Sequence, residues 1–108
     1  MKHILQILSL LIATSAWSDP LVIDVRTVKE YKAGHHDGTI NVPHKEIATA
    51  IAALADNKDQ PIYLHCRSGN RSGVAKKTLD ALGYSQVVNI GSYKDAGKWM
   101  SENLEQQK

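Results

Sequence analysis

A chain of 108 residues has room for one domain with a single core. Charged residues make up 22% and hydrophobic residues 43%, the balance of an ordinary globular chain, and the net charge is only +2. The basic residues are scattered, which argues against a nucleic-acid surface built on a basic stripe or cluster.

Residues 1–18 stand apart from the rest. Lys2 and His3 precede the apolar run Ile4 to Ala13, and small residues follow at Thr14, Ser15 and Ala16. These are the three parts of a secretory signal peptide, with cleavage expected before Asp19 or, second, before Trp17. A membrane span takes roughly 20 apolar residues, about twice this run, so no stable insertion is expected once the leader is removed. The leader carries one lysine and no acid, so residues 19–108 hold 12 basic and 11 acidic side chains, close to neutrality. They contain one cysteine, Cys66, so an intramolecular disulfide is impossible. In an oxidising compartment an idle thiol is a liability, which favours a chemical role.

Leu21 to Val25 is a β-branched apolar run, as expected of a parallel strand buried on both faces. Thr27 and Glu30 have capping-box spacing for a helix over residues 28–33, with Gly34 as its stop. Residues 35–38 form a turn, and 39–42 a short second strand closed by Pro43. Lys45 to Ala55 places Ile47, Ala48, Ile51, Leu54 and Ala55 on one helical face. Residues 61–64 read as the central strand. The loop that follows starts at His65 and Cys66. A helix from Val74 to Leu82 comes next, with Val74, Ala75, Thr78, Leu79 and Leu82 apolar-facing and Gly83 as its cap. A strand over 86–90 and a helix carrying Tyr93, Ala96, Trp99, Met100 and Leu104 complete the chain. This alternation predicts an α/β domain with a mostly parallel sheet and helices on both faces. Ligands of such sheets bind beyond the carboxyl ends of the strands, where Asp24 and Cys66 both fall.

Several motifs together resemble the rhodanese family. Asp24-Val25-Arg26, Glu30-Tyr31, Gly34-His35, Gly38 and Ile40-Asn41-Val42-Pro43 match its opening signature. Cys66-Arg67-Ser68-Gly69-Asn70-Arg71-Ser72 matches its active-site loop, and Val88-Asn89-Ile90-Gly91 with Trp99 its closing segment. His36 replaces a customary aliphatic residue, and Ser92 a customary second glycine. With the leader, the resemblance is to small exported single-domain thiosulfate sulfurtransferases and implies a periplasmic, monomeric enzyme. It also implies that Cys66 takes the outer sulfur of thiosulfate as a persulfide, releases sulfite, and passes the sulfur to cyanide or a thiol. No metal or organic cofactor is implied.

The loop suits that chemistry. The thiolate is the nucleophile, and a free cysteine with a pKa of about 8.5 is mostly protonated at neutral pH. Backbone N–H groups of Ser68, Gly69 and Asn70 can form an anion-binding nest, and the helix that follows presents its positive end. Arg67 is expected to recognise the substrate anion, and Arg71 to hold the loop and its charge. Asp24 is expected to brace neighbouring backbone or arginine groups, Arg26 and Glu30 to pair with each other, and His65 to be packed and hydrogen-bonded. His35, His36 and His44 match no metal-ligand spacing. Two other functions compete: a phosphatase or arsenate reductase, whose Cys-x5-Arg loop is one residue longer, and a non-enzymatic sulfur-carrier or binding module.

Overall fold

The computed structural model describes residues 20–104; the expected leader lies outside them. In chain order the elements are β1 (Leu21–Asp24), α1 (Val28–Ala33), β2 (Ile40–Asn41), a 3-10 turn (His44–Glu46) and α2 (Ile47–Leu54). Then come β3 (Ile62–His65), α3 (Asn70–Ala81), β4 (Val87–Gly91) and α4 (Tyr93–Asn103). The strands form one parallel sheet in the order β2-β1-β3-β4.

Side chains alternate across the sheet, so each strand feeds two layers. On one face Leu21, Ile23, Ile62, Leu64 and Val87 pack with Ile47 and Ile51 of α2 and Ala75 and Leu79 of α3. Ile23, Ile47, Ile51, Ile62, Leu64 and Leu79 are fully buried, each worth roughly 1.5–3 kcal/mol relative to exposure. On the other face Tyr63 meets the Trp99 ring of α4 at 4.3 Å, with Ala96 and Met100 buried beside it. Helices thus cover both faces, as the alternation predicts.

Local signals act as expected at several ends. Thr27 and Glu30 form a reciprocal capping box at the start of α1. Gly83 takes φ +95, the left-handed conformation that ends α3. Ser92, in place of a glycine, sits in extended backbone and caps α4 with Asp95.

Other expectations are corrected. Gly34 ends α1 with φ 162, extended backbone that any residue adopts, so the stop is not a left-handed cap. The first turn of the helix expected from Lys45 is 3-10, and Ala48 is exposed. α3 begins four residues earlier than its apolar periodicity suggests. Its buried face is Ser72, Ala75 and Leu79, whereas Val74 is 53% and Leu82 41% exposed. A small hydroxyl residue fills a core position there, which a count of apolar residues overlooks.

The register aligns the strands' carboxyl ends. Asn41, Asp24, His65 and Gly91 stand side by side across the sheet, and Cys66 is the first residue beyond that row.

Candidate functional site

Cys66 leaves β3 with its N–H donating to the Gly91 carbonyl at 3.1 Å, so the sheet fixes where the sulfur sits. The loop then reverses within Arg67, Ser68 and Gly69. Ser68 bridges Ser92, and the Tyr93 N–H donates to the Arg67 carbonyl at 3.2 Å, tying the loop to the start of α4. Gly69 makes the reversal with φ +104, a conformation L side chains rarely adopt. The site Cβ would occupy lies 3.5 Å from the Gly91 Cα, ordinary contact, so backbone conformation and not crowding selects glycine.

Cys66 is 1% exposed, and its sulfur lies at the amino end of α3. Gly69 N–H donates to Sγ at 3.0 Å and Ser72 N–H at 3.4 Å, with the Ser72 hydroxyl also 3.4 Å away. Burial pushes the Cys66 thiol up. The Ser72 hydroxyl and the backbone N–H groups of Ser72, Gly69 and Ser68 pull it down further, and the net shift is downward. Such a site holds an anionic sulfur by directed dipoles.

Charged groups frame it in two pairs. Asp24, fully buried, accepts the Arg26 backbone N–H at 3.0 Å and binds its guanidinium through both carboxylate oxygens. Arg26 also donates to the Gly34 carbonyl at 2.8 Å and lies over the Tyr93 ring at 4.7 Å. Its bond to Asp24 raises its pKa above the usual guanidinium value. Arg71 on α3 binds Glu30 on α1 at 2.7 and 3.0 Å. The expected Arg26–Glu30 pair is therefore replaced by two others: the backbone leaving β1 brings Arg26 back to Asp24, and α3 brings Arg71 to Glu30.

The remaining loop residues divide by exposure. Arg67, Ser68 and Asn70 are exposed, and Arg67 lines a cleft of about 380 Å³ with Arg26, Glu30, Ala33 and Tyr93. A larger cavity of about 480 Å³ involves His36, Asp37, Gly38, Gly97, Met100, Ser101 and Leu104 and none of the cysteine loop. Met100 thus borders a cavity as well as closing the second layer. Of these two, the Arg67 cleft is the one that a residue of the cysteine loop lines.

Histidines add packing. His36 stacks on Tyr93 at 4.0 Å, and its Nε2 donates to the Tyr93 carbonyl at 2.8 Å, which accommodates a polar residue at this turn. His65 is fully buried on the sheet face opposite the thiol; its Nδ1 reaches the Cys66 carbonyl at 3.2 Å, while Nε2 has no hydrogen-bond partner among the described residues. Among the described residues no cluster of His, Cys, Asp and Glu suits a metal ion, and no helix is long and apolar enough to cross a membrane.

Sequence reasoning missed Ser72 and Asn89 as parts of the site. Ser72 matched the loop motif, but its position on the buried stripe with Ala75 and Leu79 is what turns its hydroxyl inward. Asn89, a polar residue within a β-branched strand, was the available signal for the other.

A rhodanese-like domain model matches residues 8–97. The chain belongs to the rhodanese family. Among rhodanese proteins it is 40% identical over 73 residues to the thiosulfate sulfurtransferase PspE of Escherichia coli, covering 68% of this chain and 70% of that one. A putative sulfur carrier protein of Bacillus subtilis, YrkF, is 33% identical over 69 residues, or 64% of this chain and 36% of the longer relative. Of solved structures, an E. coli rhodanese described with anions superposes with TM-score 0.68 at 38% identity, covering 71% of this chain and 91% of that one.

Proposed function

We propose that this rhodanese domain is a thiosulfate sulfurtransferase acting through a Cys66 persulfide. The observation that carries the reading is the sulfur's seat at the α3 amino end, under the N–H groups of Gly69 and Ser72. The Cys66 thiolate attacks the outer sulfur of thiosulfate; the S–S bond breaks, and sulfite leaves with its electron pair. The outer sulfur remains as the terminal atom of an anionic persulfide. Cyanide or a thiolate then attacks that atom and takes it, and Sγ departs with the bonding electrons as the restored thiolate.

Arg67, exposed on its cleft, recognises the anionic donor, while Ser68, Gly69 and Ser72 turn their N–H groups to the sulfur and Asn70 opens the helix between them. Arg71 frames the nest from its bond to Glu30, and Asp24 braces the cleft through Arg26. No metal or organic cofactor enters this chemistry. The relative named as a thiosulfate sulfurtransferase and the rhodanese structure described with anions support the substrate class. Export to the periplasm, with action there as a monomer on small molecules rather than nucleic acid, fits the signal-peptide pattern of residues 1–18.

A phosphatase-like reaction is disfavoured. Only four residues separate Cys66 from Arg71, and the Arg71 guanidinium is engaged by Glu30 instead of being free to clasp a tetrahedral oxyanion. The sulfur-carrier reading draws on the Bacillus relative and shares the persulfide. Incubation with thiosulfate should add one sulfur to Cys66 by intact mass, and cyanide should discharge it as thiocyanate with repeated turnover. A single discharge without turnover would favour the carrier. Aryl phosphate hydrolysis, or thiosulfate turnover by Cys66→Ser, would overturn the mechanism.

A further inference from the structure

The Ser72 hydroxyl has one proton and three acceptors around it. Asn89 Oδ1 lies 2.7 Å away, the Gly69 carbonyl 3.2 Å and Cys66 Sγ 3.4 Å. The Asn89 amide cannot turn over without loss. Its Nδ2 donates to the same Gly69 carbonyl at 3.2 Å, and a flip would set two carbonyl oxygens against each other. Oδ1 therefore faces Ser72 and only accepts, so the shortest contact takes the hydroxyl proton. In that arrangement Ser72 turns lone pairs toward Sγ, which suits a thiol S–H. A thiolate needs the opposite orientation, with the hydroxyl donating to sulfur.

We infer that Asn89 is a positioning residue of the sulfur-transfer site: it holds the Ser72 hydroxyl proton away from Cys66 while that sulfur is uncharged and yields it when charge appears there. The inference rests on the persulfide reading, in which Sγ carries charge twice in each cycle. It is anionic before it attacks thiosulfate and again as it leaves the transferred sulfur. Between those moments the charge sits on the outer sulfur, and the hydroxyl returns to Asn89. Rotation of one O–H bond follows the charge, with no proton exchanged with solvent.

The other charges near the sulfur leave this pair alone. Arg71 of α3 is bound by Glu30 of α1, Asp24 of β1 is bound by Arg26, and Asp95 of α4 caps its own helix. Arg67 is exposed on the loop, and His65 occupies the opposite face of β3. All remain in the variants below, and the Ser72→Ala background separates the Ser72–Asn89 contact from the loss of the Asn89 Nδ2 bond to the Gly69 carbonyl.

The test is the pH dependence of Cys66 alkylation by iodoacetamide in the full chain, which needs no sulfur donor. Failure here is thereby separable from failure of the sulfurtransferase reading. Asn89→Leu removes the competing acceptor, and the thiolate fraction at a pH below the midpoint should rise about fivefold, the worth of one net hydrogen bond. Asn89→Asp keeps the acceptor and charges it, so the midpoint should move up. In a Ser72→Ala background, Asn89→Leu should have no further effect. An unchanged or raised midpoint in Asn89→Leu, a lowered one in Asn89→Asp, or a leucine effect that persists without the Ser72 hydroxyl overturns the proposal.

Discussion

Arg71 and Glu30 meet end to end, Nη1 to Oε1 at 2.7 Å and Nη2 to Oε2 at 3.0 Å, and so join the first turn of α3 to α1. Oε1 also accepts the Thr27 N–H and hydroxyl, each at 3.0 Å, so one carboxylate caps α1 and anchors the helix beneath the cysteine. The Arg71 contacts, then the Thr27 backbone, hold the Glu30 pKa down to about 2.

That geometry predicts the effect of Glu30→Gln. The pair is partly solvated, with side chains 28% and 30% exposed, so the loss should be about 1 kcal/mol and not the full value its lowered pKa suggests. The sign follows from linkage. A depressed carboxylate contributes stability that is present above its unfolded pKa of about 4.3 and is lost as pH falls toward about 2. Urea unfolding should show the wild type losing its advantage over Glu30→Gln across that window; a constant difference would show that the Arg71 pairing does not set the shift.

Asp24 is a different case because it is fully buried and its partner Arg26 nearly so. Asp24→Ala leaves a guanidinium without its carboxylate, and breaking such a pair costs about 3–5 kcal/mol. Because Arg26 lies over Tyr93 at the cleft, the variant should also raise the KM for thiosulfate. A variant as stable as wild type in denaturant titration would show that Arg26 finds compensation through the Gly34 carbonyl alone.

At Gly69 the cost is conformational. Alanine at φ +104 should destabilise by about 1–2 kcal/mol, without a clash, since its Cβ would meet only ordinary contact. Relaxing the strain would move the Gly69 N–H off Sγ, so the alkylation midpoint of Cys66 should rise along with the stability loss. Stability loss with an unchanged midpoint would assign the sulfur's charge to Ser72 N–H and the helix end alone.

The fold was legible because its signals are local or periodic. Val22, Ile23 and Val25 announce a strand with no solvent face, and Thr27 with Glu30 announces a helix start; both occur where expected. The start of α3 was not, because Asn70, Arg71 and Ser72 carry no apolar periodicity, and only the turn at Gly69 and the pull of Glu30 make them helical. The ion-pair partners were equally hidden. Arg26 and Glu30 are suitably spaced along the chain, but the preference of Arg26 for Asp24 depends on how the backbone leaves β1. Asn89 became part of the site only when the sheet order set β4 beside β3.

His65 carries the last prediction. With Nδ1–H directed at the Cys66 carbonyl, Nε2 is left as a bare lone pair, 3.8 Å from Asp24 Oδ2 and without a donor among the described residues. Burial pushes the imidazole pKa down, more than the Cys66 carbonyl and the Asp24 charge raise it. The unfolded chain, with a histidine pKa of about 6.5, therefore binds a proton that the folded chain refuses. Stability should be fully present above that value and fall progressively as pH drops below it toward the lower folded pKa. His65→Leu removes the titrating group at similar volume, so the difference in unfolding free energy between wild type and variant should shift against the wild type on acidification from about pH 7.5 to about pH 5. The remaining histidines are common to both proteins and cancel in that difference. If the difference is flat across the window, His65 keeps the proton affinity of an exposed imidazole, and the Asp24 carboxylate must be closing the 3.8 Å gap to Nε2 in solution.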